Sequence, residues 1–150
     1  MFNLIMDFIY DANVLDLFGG SGALSFEAIS RGARKAVICD KDTNSINLIK
    51  KNAEKLMFTD RVTVKKVFAE DFLKECKESF DIIFLDPPYN KGFIRPIIDG
   101  IIGSDILCKD GIIVLESDFI DEHGEFDGIE ILKQRKYGRS YITIYQRGVD

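Results

Sequence analysis

The 150-residue chain has no tryptophan, one histidine, three prolines and three cysteines. With His123 alone, no histidine cluster exists to hold a transition metal, and none is expected. Cys39, Cys76 and Cys108 are odd in number, far apart and without a C-x-x-C. They predict reduced thiols in a cytoplasmic protein rather than a disulfide scaffold. No apolar run approaches the roughly 18 residues that span a bilayer. The apolar opening Met1 to Tyr10 carries Asp7 and lacks both a basic start and a small-residue cleavage site, so it does not read as a secretion signal. No repeat, low-complexity tract or linker interrupts the chain, and one domain over 1–150 is expected.

What is present is a large core: 46% hydrophobic residues, twelve of them Phe, against 30% charged ones. A domain of this size buries about 70% of the surface its unfolded chain exposes, which suffices without staples. Twenty basic residues against 25 acidic ones leave a net charge of -5. That balance argues against a generic nucleic-acid coat protein but not against an enzyme with a local basic patch. Five Lys/Arg between Lys133 and Arg147 are the nearest thing to one. Taken alone they also fit an ordinary exposed strand. The acid-rich stretch from Glu116 to Asp127, which includes His123, reads as a solvated loop.

Short apolar runs alternate with amphipathic ones. Strands are expected over 13–18, 36–40, 62–66, 80–85 and 111–116, with a closing antiparallel pair over 129–133 and 141–145. Helical spacing appears over 21–31, over 43–56 with Thr43 as its cap, around 72–76, and over 93–102 with Pro96 near the start. The run 80–85 is apolar throughout, as in a central parallel strand covered on both faces. This order predicts an α/β, doubly wound sheet.

Two constellations carry chemistry. The first is Asp16-Leu-Phe18-Gly-Gly20-Ser21-Gly22, a strand running into a glycine turn and a helix. Glycines permit a tight turn and close approach to a ligand. Asp40 closes the second strand at the spacing suited to a ribose diol. Gly20-x-Gly22 lacks the third glycine of a dinucleotide loop, having Ser25 there. Asp16, an acid inside an apolar strand, suits a cofactor with a cationic amino group and would oppose a pyrophosphate. S-adenosylmethionine has that ammonium and no phosphates. The alternative is that Asp16 caps the loop through its own backbone N–H groups. Glu70 and Asp71 follow the third strand, where adenine contacts or a helix N-cap are expected.

The second constellation is Asp86-Pro87-Pro88-Tyr89, at the carboxyl end of the central strand and hence in the same crevice. Consecutive prolines make a rigid extended backbone whose carbonyls still accept hydrogen bonds. The amino nitrogen of a nucleobase is a poor nucleophile because its lone pair is delocalised into the ring. Acceptance of both its hydrogens, by Asp86 and the Pro87 carbonyl, favours a pyramidal nitrogen and stabilises charge developing there. Tyr89 can stack on a base that has been flipped out or is unpaired.

These residues resemble class I S-adenosylmethionine-dependent methyltransferases, specifically the RsmD type that methylates guanine N2 in bacterial 16S ribosomal RNA. The resemblance rests on Phe2-Asn3, Val14 to Leu24, Glu27-Ala28, Ser30-Arg-Gly-Ala33, Asp40-Lys-Asp42, Asn52, Asp86-Pro-Pro-Tyr89 and Tyr137-Gly138. It implies a Rossmann-like, mostly parallel seven-stranded sheet with an antiparallel C-terminal pair. It implies a cofactor set of Asp16, Phe18, Gly20, Ser21, Gly22, Asp40, Lys41, Glu70 and Asp71. Of these, Asp40 would hold the ribose and Asp71 the adenine amino group. Asp86, Pro87, Pro88 and Tyr89 would be catalytic. The partner implied is ribosomal RNA or the small ribosomal subunit, with the enzyme a monomer and no membrane involved. Members of this type carry a basic hairpin and a polar loop before the helix that Met1-Phe2-Asn3-Leu4 resembles. This chain starts inside that helix, so weak RNA binding by the chain alone is expected. Three alternatives stay open: a DNA-adenine or other RNA acceptor, a NAD-binding oxidoreductase domain, and an inactive cofactor-binding fragment.

Overall fold

Asn13-Val-Leu-Asp16 forms the central strand β1, with Val14 and Leu15 pointing to opposite faces and both fully buried. Around it the computed structural model, which describes residues 1–87, 94–118 and 126–148, builds one seven-stranded sheet. The further strands are β2 (Lys35–Asp40), β3 (Val62–Lys66), β4 (Phe80–Leu85), β5 (Leu107–Ser117), β6 (Ile129–Tyr137) and β7 (Ser140–Arg147). Their order is β3-β2-β1-β4-β5-β7-β6, parallel except for β7, which runs antiparallel to both neighbours. The helices are α1 (Met6–Ile9), α2 (Ala23–Ser30), α3 (Thr43–Leu56), α4 (Ala69–Glu75) and α5 (Ile94–Ser104). This is the doubly wound, Rossmann-like class I methyltransferase architecture with its antiparallel C-terminal pair.

Two cores follow from the period-2 alternation of the strands. Val14, Ile38, Ile82, Phe84, Ile112 and Val114 meet Ile5 and Ile9 of the N-terminal segment and the apolar stripes of α2 and α3. Leu15, Val37, Ile83, Leu85 and Ile113 meet α4 and α5 on the other face. Burying each such side chain contributes about 1.5–3 kcal/mol, and the strands spend it on both faces at once.

Local chemistry moves several boundaries. The N-cap of α3 is Asp42, whose carboxylate accepts from the Ser45 N–H at 2.9 Å. Thr43, expected as the cap, is instead its first helical residue. The Asp42 carboxylate at the cap position satisfies that orphan donor, and its charge suits the positive helix end. α2 begins at Ala23 rather than Ser21, because Gly22 takes a left-handed φ of 84°. β5 begins at Leu107, four residues early, and its pairing with β4 jumps from Phe80↔Leu107 to Ile82↔Ile112. The closing strands are longer than expected, reaching Tyr137 and Arg147. No helix among the described residues is long and apolar enough to cross a membrane.

Candidate functional site

β1 pairs with β4 on one side and β2 on the other, and the connections from β1 and β4 leave over opposite faces. A crevice opens beyond the carboxyl ends of the strands where the winding reverses. It is a cleft of about 590 Å³ lined by residues from every strand end around it. Leu17, Phe18 and Gly20 come from the loop after β1, and Asp40 and Lys41 from the end of β2. Val67, Phe68, Ala69 and Glu70 come from the turn into α4, and Asp86 and Pro87 from the end of β4. Two expected catalytic residues, Pro88 and Tyr89, lie outside the described residues, as does His123.

The glycine loop is fastened by its own donors. Gly19 N–H donates to the Cys39 carbonyl at 2.8 Å, Gly22 N–H to the Gly19 carbonyl at 2.8 Å, and Gly20 N–H to Asp40 Oδ2 at 2.9 Å. The Asn52 amide of α3 donates to the Ser21 carbonyl at 3.0 Å. These N–H groups are therefore committed within the protein, not held out to an anion. A Cβ on Gly19 would collide with Ile38 Cγ2, so the loop lies directly on β2.

Asp40 accepts twice from backbone, at Oδ2 from Gly20 and at Oδ1 from Asp42. A carboxylate has about four acceptor sites, so both oxygens keep capacity for a diol. Lys41 stands beside it, its Nζ 6.0 Å from the Phe68 ring centre. The cleft thus carries Asp40, Glu70 and Asp86 against one Lys, between walls of Leu17, Phe18, Val67 and Phe68. An apolar slot whose charged side chains are three acids and one lysine favours a cationic, phosphate-free ligand.

Asp16 lies beneath this surface, not on it, with 1% exposure. It is flanked in the sheet by Ile38 and Phe84. Oδ2 accepts from the Ser25 hydroxyl at 3.1 Å, while Oδ1 has no hydrogen-bond partner among the described residues. Burial pushes its carboxyl from 3.8 up to about 7, against the pull of the Ser25 hydroxyl and the Phe18 N–H, with smaller pushes from Asp86 and Asp40. A buried acid with an orphaned oxygen beside an acidic cleft is the fit expected for a cationic group nearby.

At the other end of the cleft Asp86 is exposed. Its carboxyl is nevertheless held above the ordinary 3.8, first by desolvation and then by Glu116. The register explains the second cause: Leu85 pairs with Leu115, so Asp86 and Glu116 follow side by side on adjacent parallel strands. In the sequence Glu116 ends the expected strand 111–116 as well as opening the acid-rich stretch. Its place at the end of a buried strand, like that of Asp40, was the signal available.

The expected cofactor residues divide in the structure. Phe18, Gly20, Asp40, Lys41 and Glu70 line the cleft. Ser21 faces a separate groove between α2 and α3, and Gly22 and Asp71 are not among the lining residues. Neither Glu70 nor Asp71 is an N-cap, because that place belongs to Phe68 and both acids sit in the first turn of α4. Val67, Phe68 and Ala69 line the cleft without having been expected to. Among the described residues no group of three or more His, Cys, Asp and Glu side chains is arranged to hold a metal ion.

Comparison with known proteins places this geometry. A family model described as conserved hypothetical protein 95 matches residues 1–146. Ribosomal RNA small subunit methyltransferase D of Haemophilus influenzae is 30% identical, over 97% of this chain and 77% of that protein. YlbH of Bacillus subtilis, provisionally named an rRNA methyltransferase, is 33% identical over 98% of this chain and 82% of its own length. A conserved hypothetical protein of Streptococcus pyogenes superimposes with a TM-score of 0.89 at 34% identity, covering 97% of this chain and 92% of that one. In fold alone, at 16% identity, the chain matches SMU.776, provisionally described as a methyltransferase and solved with S-adenosylhomocysteine. That match has a TM-score of 0.77 over 97% of this chain and 49% of that one.

Proposed function

The chain belongs to the conserved hypothetical protein 95 family, the RsmD type, and on that premise we propose that it methylates an exocyclic amino group of ribosomal RNA, guanine N2 of 16S rRNA, using S-adenosylmethionine. The observation that carries this reading is the cleft itself, with Asp40 and an acidic, apolar wall at one end and Asp86-Pro87 at the other. Residues 1–150 are read as one catalytic domain, a reading supported by the 1–146 span of the family match.

S-adenosylmethionine, when bound, supplies an electrophilic methyl group on a cationic sulfur. Asp40 would accept from the ribose hydroxyls while continuing to tie down Gly20. Phe18 and Phe68 provide apolar walls, and Glu70 stands at the place expected for adenine. Asp16 would act from beneath the loop, its ionised form stabilising the positive end of the cofactor. Ser21 and Gly22 shape the loop, and Asp71, beside Glu70 in the first turn of α4, is proposed to meet the adenine amino group.

The acceptor amine is the business of Asp86 and the Pro87 carbonyl, which would take its two N–H hydrogens. Desolvation, and then the like charge of Glu116, makes Asp86 more basic. A more basic carboxylate is a better acceptor for the proton the amine must lose. Pro88 and Tyr89 complete the proposed acceptor pocket, with Tyr89 stacking on the base. The Gly19, Gly20 and Gly22 N–H groups all donate within the protein, which disfavours the nicotinamide alternative.

The test is tritiated methyl incorporation into 30S subunits, naked 16S RNA and duplex DNA, side by side. Incorporation into one of the RNA substrates, at guanine N2 on digestion, is expected. Methylation of DNA alone would overturn the acceptor. Asp86→Ala should lower transfer by about 100–1,000-fold while S-adenosylmethionine still raises the melting temperature, and full activity in that variant would sink its role. NAD should give no such thermal shift.

A further inference from the structure

The β6–β7 hairpin is the part of the fold that the methyl-transfer chemistry leaves unused. From Leu132 to Arg147 the sequence holds five cations and no acid, in a chain whose net charge is -5. Two of the five have structural work: Lys133 Nζ donates to the Leu4 carbonyl, and Arg147 pairs with Asp105 at 2.9 Å. Arg135, Lys136 and Arg139 are exposed and make no ion pair among the described residues.

Register shows where these three stand. β7 is antiparallel to β5, and Ser117 at the carboxyl end of β5 pairs with Tyr141. Tyr137 pairs with Ser140, so the hairpin turns at that same end of the sheet. The tip therefore projects on the side where the cleft opens, past the level of Asp86. β4, β5, β7 and β6 follow one another in the sheet. At about 4.8 Å per strand step the tip is roughly 15 Å from Asp86. Arg135 opposes Ile142 and Lys136 opposes Tyr141, which places these cations on opposite faces of the ribbon. Lys136 Nζ lies 5.6 Å from the Tyr141 ring centre. Tyr137, 44% exposed, ends β6 beside Gly138 at a φ of 60°.

We propose that the β6–β7 hairpin tip is the RNA-docking surface of this chain, with Arg135, Lys136 and Arg139 holding phosphates next to the target nucleotide and Tyr137 stacking on an unpaired neighbouring base. The proposal rests on the RNA-methylation reading for its substrate, but it makes a separate claim about binding. A base delivered to Asp86 leaves its neighbours strung along the rim of the cleft, within reach of this ribbon. Cations there neutralise phosphates regardless of sequence, and an exposed aromatic face accepts any base. An acidic protein segment would meet the same charges but has no use for Tyr137.

The experiment measures binding of a fluorescein-labelled single-stranded 20-mer RNA by anisotropy over a salt series. It uses the full chain and the triple variant Arg135→Ser/Lys136→Ser/Arg139→Ser. Loss of three phosphate contacts should weaken binding at least tenfold and reduce the slope of log K against log salt by about 2. The matching triple lysine/arginine exchange, R135K/K136R/R139K, should keep both affinity and slope, and equal melting temperatures confirm that the variants fold. Tyr137→Leu should weaken binding severalfold without changing the slope. In 30S assays the serine variant should raise KM with kcat within twofold. Unchanged affinity and slope in the serine variant overturn the proposal, as does a preference for polyglutamate over RNA of equal charge. If wild-type protein bound RNA through this tip yet methylated no RNA, the methylation reading would fall while the docking surface stood.

Discussion

Asp16 turns a single buried carboxyl into a dependence on pH that can be measured. Its folded value of about 7 stands above the 3.8 of an exposed aspartate. Between those values the folded chain keeps a proton that the unfolded chain has released, so stability falls as pH rises from about 4 to about 7 and stays low above it. Asp16→Asn should flatten this profile and gain up to about 4 kcal/mol at pH 8, read from urea melts at pH 5 and 8. The same substitution should weaken S-adenosylmethionine binding, since the cofactor's positive charge favours the ionised acid. In wild type, affinity should therefore increase as pH rises through 7, with proton release on binding. An unchanged dissociation constant by calorimetry would count against the role of Asp16. Its oddity was legible in the sequence as an acid in an apolar strand. That it lies behind the cleft wall was not, because strand alternation assigns a face and not a depth. Glu116 escaped notice for a related reason: its partner Asp86 is thirty residues away, and only the parallel pairing of β4 and β5 joins them.

Among the elements, the loop between β1 and α2 is closely held. Gly19 lies so close to β2 that a methyl group would meet Ile38, the Cys39 carbonyl and Ile49 together. Gly19→Ala should cost about 1–3 kcal/mol. It should also push Gly20 off Asp40, so that cofactor affinity falls more steeply than stability, as paired thermal-shift and calorimetric measurements will show. The helices and parallel strands were readable from spacing because apolar residues decide them. Edges were read less well where a polar side chain or a backbone twist decides them. The Asp42 cap is one case, and the left-handed Asp110 φ of 61° within the irregular start of β5 is another. In the same way the cations of the closing strands were visible as charges, but which end of the sheet they crown depended on a register no composition records.

For the whole molecule, the sheet's two covered faces set what solvent and reagents can reach. Cys39 is fully buried in β2, and desolvation followed by the charge of Asp16 pushes its thiol up to about 12. It should react with Ellman's reagent only through global unfolding, about 1,000-fold or more below a free thiol, given the usual stability of a domain. Cys76 and Cys108 are half-buried, with thiols raised chiefly by desolvation, and should react first. Thiol counting against denaturant concentration checks the ordering, and early labelling of Cys39 would mean that β2 opens on its own.

The pairing of β1 with β4 has a mechanical meaning as well. Val14, Leu15 and Asp16 lie against Ile82, Ile83 and Phe84, and among the described residues no other strand pair bridges the two halves of the winding. Residues proposed to grip the methyl donor run from Asp16 in β1 to the first turn of α4, ahead of β4 in the chain, and those proposed to receive the acceptor all follow β4. Donor-to-acceptor alignment is thus calibrated by one short run of backbone ladder, which works as a fixed gauge. The acceptor half could be exchanged for that of a relative with a different substrate, and the working distance would survive wherever that gauge was kept.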